Sequence, residues 1–341
     1  MAETPRDPGE RRIFRHVRSV ACIAQMRPGQ ITIFEELGIE PPRPEPAKPA
    51  PPKTHRTCDG IEFVPAPGHE NLLLGPDGLA VRVVHTHSRK KSKKVAFYAE
   101  IVAGGMTGKW PSLWWVELHA GPGMLYEVES RKLLDGSPLD ALNISRRYSG
   151  YVFVEYDATC ATALRERTQG IPNVYVIEGD CNSAIVHDQI RAIVPTNALV
   201  VMYADPEGVD DLEFKTVQFF SERYAHLDWL INFPVSGAVR YLTAGGKDRA
   251  VKLLDHPNPA ELLEQSTGRT YGSSLSDYFK RQLEALGHTC RYETIYLDVK
   301  NVPFYDLFFA TKDKTGLAVD FFDKACGIKA SGQRTLDLGA G

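Results

Sequence analysis

The 341 residues predict a Rossmann-like α/β fold: a seven-stranded, mostly parallel sheet carrying a flexible N-terminal arm. Three observations support this reading. From about residue 105 to 312, apolar β-rich runs alternate with helical periodicity, a pattern that demands a parallel sheet with right-handed crossovers. One run, LWWVELHAGPG at 113–123, ends in Glu117 and breaks into a small-residue turn with Gly121 and Gly123. A buried strand opens in this way into a loop where a nucleotide-like ligand lies against bare backbone at a helix start. Three later runs also close on acids: Glu155 ends YVFVE, Asp180 ends VYVIEGD and Asp205 ends LVVMYAD.

The elements follow in order. Residues 1–60 read as an arm: 1–20 are polar and arginine-rich, and the proline tract PPRPEPAKPAPP at 41–52 is extended and cannot pack as a helix. Between them lies the apolar island GQITIFEELGI, 29–39, in which Gln30, Ile31, Ile33 and Phe34 resemble the short peptide that docks bacterial proteins on the replication sliding clamp. The alternative is an arm that folds back on its own domain. From Ile61 to Val84 short strands are punctuated by the turn sequences PAPGHEN and GPDG. A helix follows over about 88–102. Val95, Ala96, Tyr98, Ala99 and Val102 form its apolar face, and Arg89, Lys90, Lys91, Lys93 and Lys94 form a basic start placed in water. Those cations, with His85 and His87 just upstream, are either a phosphate-holding cluster or an ordinary solvated helix face.

Strands are expected near 113–118, 151–155, 173–177, 198–203, 228–232, 291–297 and 304–310, which completes a domain over 61–312. An insertion at 233–290, with helices near 247–255 and 275–286, stands beside the ligand mouth at the carboxyl ends of the strands. Residues 313–341 form a C-terminal extension ending in DLGAG, a glycine loop with no helix after it and therefore not read as the ligand loop.

Composition narrows the function classes. Hydrophobic residues make up 43% of the chain, ample for a core, and the net charge of -3 argues against a protein that coats nucleic acid. The six cysteines are widely spaced and include no CxxC pair, so no zinc site or disulfide framework is indicated and a reduced, cytoplasmic protein is the simplest reading. No stretch approaches the ~20 apolar residues of a membrane span.

Each motif has a physical task. Gly121 and Gly123 let the backbone approach a ligand, and Pro122 stiffens the turn after Ala120, although an ordinary strand-to-helix turn would look similar. Glu117 faces this loop to hold its amides or, through water, a ligand ammonium. Glu155 offers two acceptors to two ribose hydroxyls, the logic of the acid in dinucleotide folds. It lies farther from Gly123 than the ~20 residues of that fingerprint, because an extra loop at 124–135, read as a lid, precedes a helix with Ser137 as N-cap and Pro138 at its first position. Asp180 either accepts from an adenine amino group, with the amides of Cys181 and Asn182 nearby, or caps the next helix. Asp205 heads ADPEG, where this fold presents reactive groups to substrate. The loop is not a GxGxxG and no Tyr-x-x-x-Lys pair follows, which disfavours a nicotinamide oxidoreductase.

With these residues in place, the core from 105 to 312 resembles a class I S-adenosylmethionine (SAM) methyltransferase. More specifically, VELHAGPG, DGSPLDAL, FVEYD, EGDCN, ADPEG, DWLINFPVSG and FYDLFFATK, together with the lysine-rich helix upstream of GKW, resemble the three-Cys-motif partner proteins (TcmP) over about residues 85–312. The resemblance implies a methyltransferase-like fold and a functional pairing with a three-cysteine radical-SAM-like protein; it implies no known reaction. This chain departs from the family twice, with Glu117 where Asp is usual and Pro206-Glu207-Gly208 where a DPFG-like turn is usual. No aromatic ring follows Asp205-Pro206, which weakens DNA adenine methylation, and no Pro-Cys pair exists for cytosine C5 chemistry. The expectation is a SAM-dependent methyltransferase for a nucleic acid or nucleotide-like substrate. Ala120, Gly121, Pro122, Gly123, Glu117, Glu155, Asp180 and Cys181 would hold SAM, and Asp205 would orient the acceptor or take its proton. The alternative is a non-catalytic binding partner of the radical-SAM-like protein.

Overall fold

The computed structural model describes residues 55–56, 62–66, 68–69, 71–246, 248–264, 272–297 and 302–327. Gln30–Phe34, the proline tract and the terminal DLGAG lie outside the described residues, as do the side chains of His87, Arg89 and Lys90.

Strand β5 (Leu113–Glu117) is buried along its whole length, as its unbroken apolar run requires of a central parallel strand. It pairs in parallel with β8 (Gly150–Glu155) on one side and β10 (Leu199–Ala204) on the other. Beyond them lie β9 (Val174–Glu178) and, on the other flank, β11 (Leu227–Phe233), β13 (Val302–Thr311) and β12 (Thr289–Leu297). The order is β9-β8-β5-β10-β11-β13-β12, parallel except that β13 runs antiparallel to both its neighbours. All seven strands of the Rossmann-like class I methyltransferase fold are thus present. The reversed strand between the fifth and the sixth separates this sheet from the dinucleotide-binding order. Order reverses between β8-β5 and β10, so the crevice of the fold opens at their carboxyl ends.

Helices cover both faces. On one, α1 (Thr86–Met106) buries Val95, Tyr98, Ala99 and Val102 against Trp115 and Phe309. Residues after 312, read as an extension, contribute α10 (Leu317–Ala325), whose Phe322 stacks on Phe309 at 4.9 Å. On the other face lie α4 (Ala184–Ile193), α5 (Phe214–Arg223) and the insertion. Among its described residues that insertion carries four helices where two are expected: α6 (Val235–Thr243), α7 (Asp248–Leu254), α8 (Ala260–Glu264) and α9 (Ser273–Ala285). Gly237 and the β-branched residues of α6 lower its intrinsic propensity; burial of Val235, Ala238 and Leu242 along one stripe overrides it.

The segment read as a lid is instead a β-hairpin, β6 (Met124–Glu127) and β7 (Lys132–Asp135). β6 pairs in parallel with β4 (Ala80–Val84), joining an antiparallel meander of β1 (His55–Arg56), β2 (Glu62–Pro65) and β3 (Leu72–Leu74) in a second, six-stranded sheet. A lid needs low local stability, whereas this hairpin is tied into a sheet. Arg167, at the end of α3 (Ala158–Arg167), clamps that sheet to the glycine turn by donating to the carbonyls of Ala80 and Pro122, each at 2.6 Å, and pairing with Asp77.

Candidate functional site at the carboxyl ends of the strands

The glycine turn is held from several directions. Leu118 N–H donates to Tyr203 O at 2.9 Å and Ala120 N–H to Val154 O at 3.0 Å, which stitches the turn to both neighbouring strands. Gly121 and Gly123 have φ of 67° and 86°, the left-handed region that side chains disfavour. A Cβ on Gly123 would also stand 3.0 Å from Leu164. The carbonyl of Gly123 accepts from Gly136 N–H at 2.7 Å. Ala120 N–H and the carbonyls of Pro122 and Gly123 are thus taken by scaffold contacts, and Gly121 N–H is the amide of the turn that meets an acid.

That acid is Glu155. Its Oε2 accepts from Gly121 N–H at 2.6 Å and its Oε1 from Asp157 N–H at 2.9 Å. The expected holder of the loop amides, Glu117, does not reach them. It is fully buried and accepts from Ser137 Oγ and, at 3.4 Å, from Trp115 Nε1. Burial with no cation in contact pushes the Glu117 carboxyl well above its ordinary value. Ser137 is correspondingly not an N-cap. It opens α2 (Ser137–Leu142) behind Gly136, with its side chain committed to Glu117, while Pro138 sits in the first turn as expected.

Asp180 is exposed and accepts from the amide of Asn182 at 2.8 Å; the cap of α4 is Ser183, whose hydroxyl accepts from Val186 N–H. The capping reading of Asp180 is thereby corrected, because the turn places Ser183 at the helix start. Cys181 is buried, its sulfur 3.5 Å from both His119 Nε2 and the carbonyl of Asp211, so its side chain packs inward. His119 Nε2 also lies 3.1 Å from that carbonyl, and burial holds the imidazole below its usual value and neutral.

At the end of β10 the arrangement is ionic. The register sets Ala204 opposite Ile231, which brings Asn232 beside Asp205, and Asn232 Nδ2 donates to Asp205 Oδ1 at 2.9 Å. Both oxygens of Asp205 accept from Lys91 Nζ, which also lies 5.2 Å from the centre of the Tyr305 ring. The Lys91 side chain is 8% exposed and that of Asp205 25%. Burial alone would raise the Asp205 carboxyl, but the Lys91 ammonium outweighs it and holds the group below the ordinary aspartate value.

The expectation that the basic start of α1 lies in water fails at Lys91 for a reason visible in the spacing. Lys91, Val95, Tyr98 and Val102 follow one another at four, three and four residues and share the buried stripe, whereas Lys93, off that stripe, is exposed. Lys94 pairs with Glu293 at 3.1 Å. Asn232 is a further residue that the pattern of strand-end acids did not single out, since it is a neutral side chain inside β11, followed by the buried Phe233. Two further side chains belong to this mouth. Tyr156, next to Glu155, is 79% exposed. Arg82 of β4 lies 3.8 Å from where a Cβ of Gly121 would stand and pairs with Glu207 of ADPEG. A cavity of about 380 Å³ bordered by Met106, Trp110, Asp228, Lys312 and Phe321 lies at the opposite, amino-terminal ends of β10 and β11, away from these acids.

No family model and no curated protein matches this sequence. Among solved structures the chain is similar to a protein of Legionella pneumophila str. Philadelphia 1, at 12% identity and TM-score 0.45, over 67% of this chain and 88% of that one. It is also similar to an O-methyltransferase from Bacillus cereus in complex with SAH, at 10% identity and TM-score 0.38, over 67% and 81%. Spermidine synthase from Thermotoga maritima aligns at 9% identity and TM-score 0.41, over 83% and 78%. At these identities the likeness concerns architecture alone.

Among the described residues no helix is long and apolar enough to cross a membrane.

Proposed function

We propose that this protein is a SAM-dependent methyltransferase acting on a nucleic acid or nucleotide-like substrate. The observation that carries the reading is the convergence, at the switch point of the sheet, of the positive-φ glycine turn, Glu155 and the Lys91-Asp205-Asn232 group. The donors and acceptors fit SAM. A carboxylate has about four lone-pair sites; two of those on Glu155 take the amides of Gly121 and Asp157, which leaves capacity for two ribose hydroxyls. Asp180 and the amide of Cys181 serve the adenine edge, and the exposed Tyr156 ring offers it an apolar face. Bound SAM supplies an activated methyl group on a sulfonium.

Transfer of that group chiefly requires in-line positioning of the acceptor. Asp205, kept ionised by Lys91, is a weak base and a strong hydrogen-bond acceptor, so its task is to orient an N–H or O–H of the acceptor while Asn232 fixes its carboxylate. Pairing with a three-cysteine radical-SAM-like protein, as in the TcmP family, completes the reading, as does a sliding-clamp contact through Gln30–Phe34. The occupation of Asp205 by Lys91 also favours a second reading, a non-catalytic module that binds SAM or a nucleotide for that partner.

Methyl transfer from isotopically labelled SAM into RNA, DNA and nucleotides, measured with the protein alone and with its partner, separates the two. Label incorporated by the parent protein and lost in Asp205→Asn, with SAM binding retained, is the expected result. SAM binding without incorporation in either setting would leave the module.

A further inference from the structure

Arg82 is set apart from the arginines that only pack the fold. It projects from β4 of the second sheet onto the glycine turn, its Nη2 3.7 Å from Cys160 Sγ and its Nη1 paired with Glu207. Cys160 lies in the first turn of the helix after β8, whereas Glu207 follows β10, so the guanidinium crosses the mouth above β5 from one flank to the other. The Cys160 thiol is pushed up to about 11 by burial and is neutral, so Glu207 is the charge that answers Arg82 there. The pair is unequal: the Arg82 side chain is 23% exposed and that of Glu207 67%. Arg82 Nε is buried and makes no hydrogen bond among the described residues. A planar guanidinium suited to bidentate carboxylate recognition thus has one donor unused and is matched with a largely solvated acid. Glu207 belongs to a turn held on its other side by the Asp211 carboxylate, which accepts from Gly208 N–H at 2.6 Å.

We propose that Arg82 is the binding residue for the methionine carboxylate of SAM and that Glu207 is a built-in competing carboxylate, released when the ligand takes its place. This rests on the SAM reading above and deepens it. The exchange swaps one carboxylate for another on the same guanidinium, so charge is conserved. It also couples ligand binding to the ADPEG turn, because Glu207 lies two residues from Asp205.

The test is equilibrium binding of SAM and of decarboxylated SAM, which lacks only the carboxylate, to the parent protein, Glu207→Gln, Arg82→Gln and the double variant. Glu207→Gln, at an exposed position, leaves the fold intact and should tighten SAM roughly three-fold, the scale of an exposed ion pair. Arg82→Gln should weaken SAM by about ten-fold or more, the scale of a charge-assisted hydrogen bond, and leave decarboxylated SAM unchanged; in that background Glu207→Gln should have no effect. Unchanged or weaker SAM binding by Glu207→Gln, or equal losses of both ligands in Arg82→Gln, would overturn the exchange while leaving the SAM site standing. Binding of neither ligand by any of the folded proteins would overturn the SAM reading and the exchange with it.

Discussion

Glu117 and Asp205 stand near the ends of adjacent parallel strands, with Tyr203 directly opposite Glu117, yet their surroundings push them in opposite directions. At the end of β5, Glu117 meets, among the described residues, a hydroxyl and an indole N–H, and burial pushes its carboxyl well above its ordinary value. At the end of β10, Asp205 receives a buried ammonium from a helix that precedes both strands, and it stays ionised. The difference shows that a strand-end acid acquires its role from what other elements bring to it. The first is a structural acid that anchors α2, and the second is a charged group aimed at the mouth.

Removing the cation should have the largest effect. Lys91→Met leaves Asp205 without its partner, and stability should fall by about 3 kcal/mol; urea unfolding measures it. A loss below about 1 kcal/mol would mean that water already serves Asp205 and that the contrast with Glu117 is weak. Asp228, at the other end of the sheet, is an intermediate case. It accepts from Tyr98 and Thr311 with no cation, and burial raises its carboxyl to about 6. Because the folded state holds this proton more tightly than the unfolded one, Asp228 makes stability fall as pH rises from about 4 to 6. At 1.36 kcal/mol per unit the shift corresponds to roughly 3 kcal/mol at most. Asp228→Asn should flatten that limb of the stability profile; an unchanged slope would contradict the assignment. Smallest is Glu117→Gln. Burial disfavours charge on this carboxyl and an amide keeps an acceptor for Ser137, so thermal unfolding at pH 7 should report a change under about 1 kcal/mol, and a larger loss would show that the charge of Glu117 contributes.

What could be read in advance divides along the same line. The central strands were legible as apolar β-rich runs, most clearly LWWVE and LVVMYA, and the glycine turn because its backbone conformation dictates residue type. Glu155 and Asp205 were legible as strand-end acids. Lys91, the partner of Asp205, and Arg82, the partner of Glu207, were not, since both arrive from elements distant in sequence and no local pattern encodes that approach. Lys91 alone left a trace, its place on the apolar stripe of α1. The hairpin at 124–135 was misread because its strand pairing is with β4, again across the chain.

Calorimetric titration of SAM and S-adenosylhomocysteine into the parent protein and Glu155→Ala asks whether the ends of β5, β8 and β10 form a SAM site. The parent protein should bind with a roughly micromolar Kd, and binding should be lost in the variant while the variant remains folded. Folded parent protein that binds neither ligand, or a variant that binds as tightly as the parent, would contradict a SAM site there.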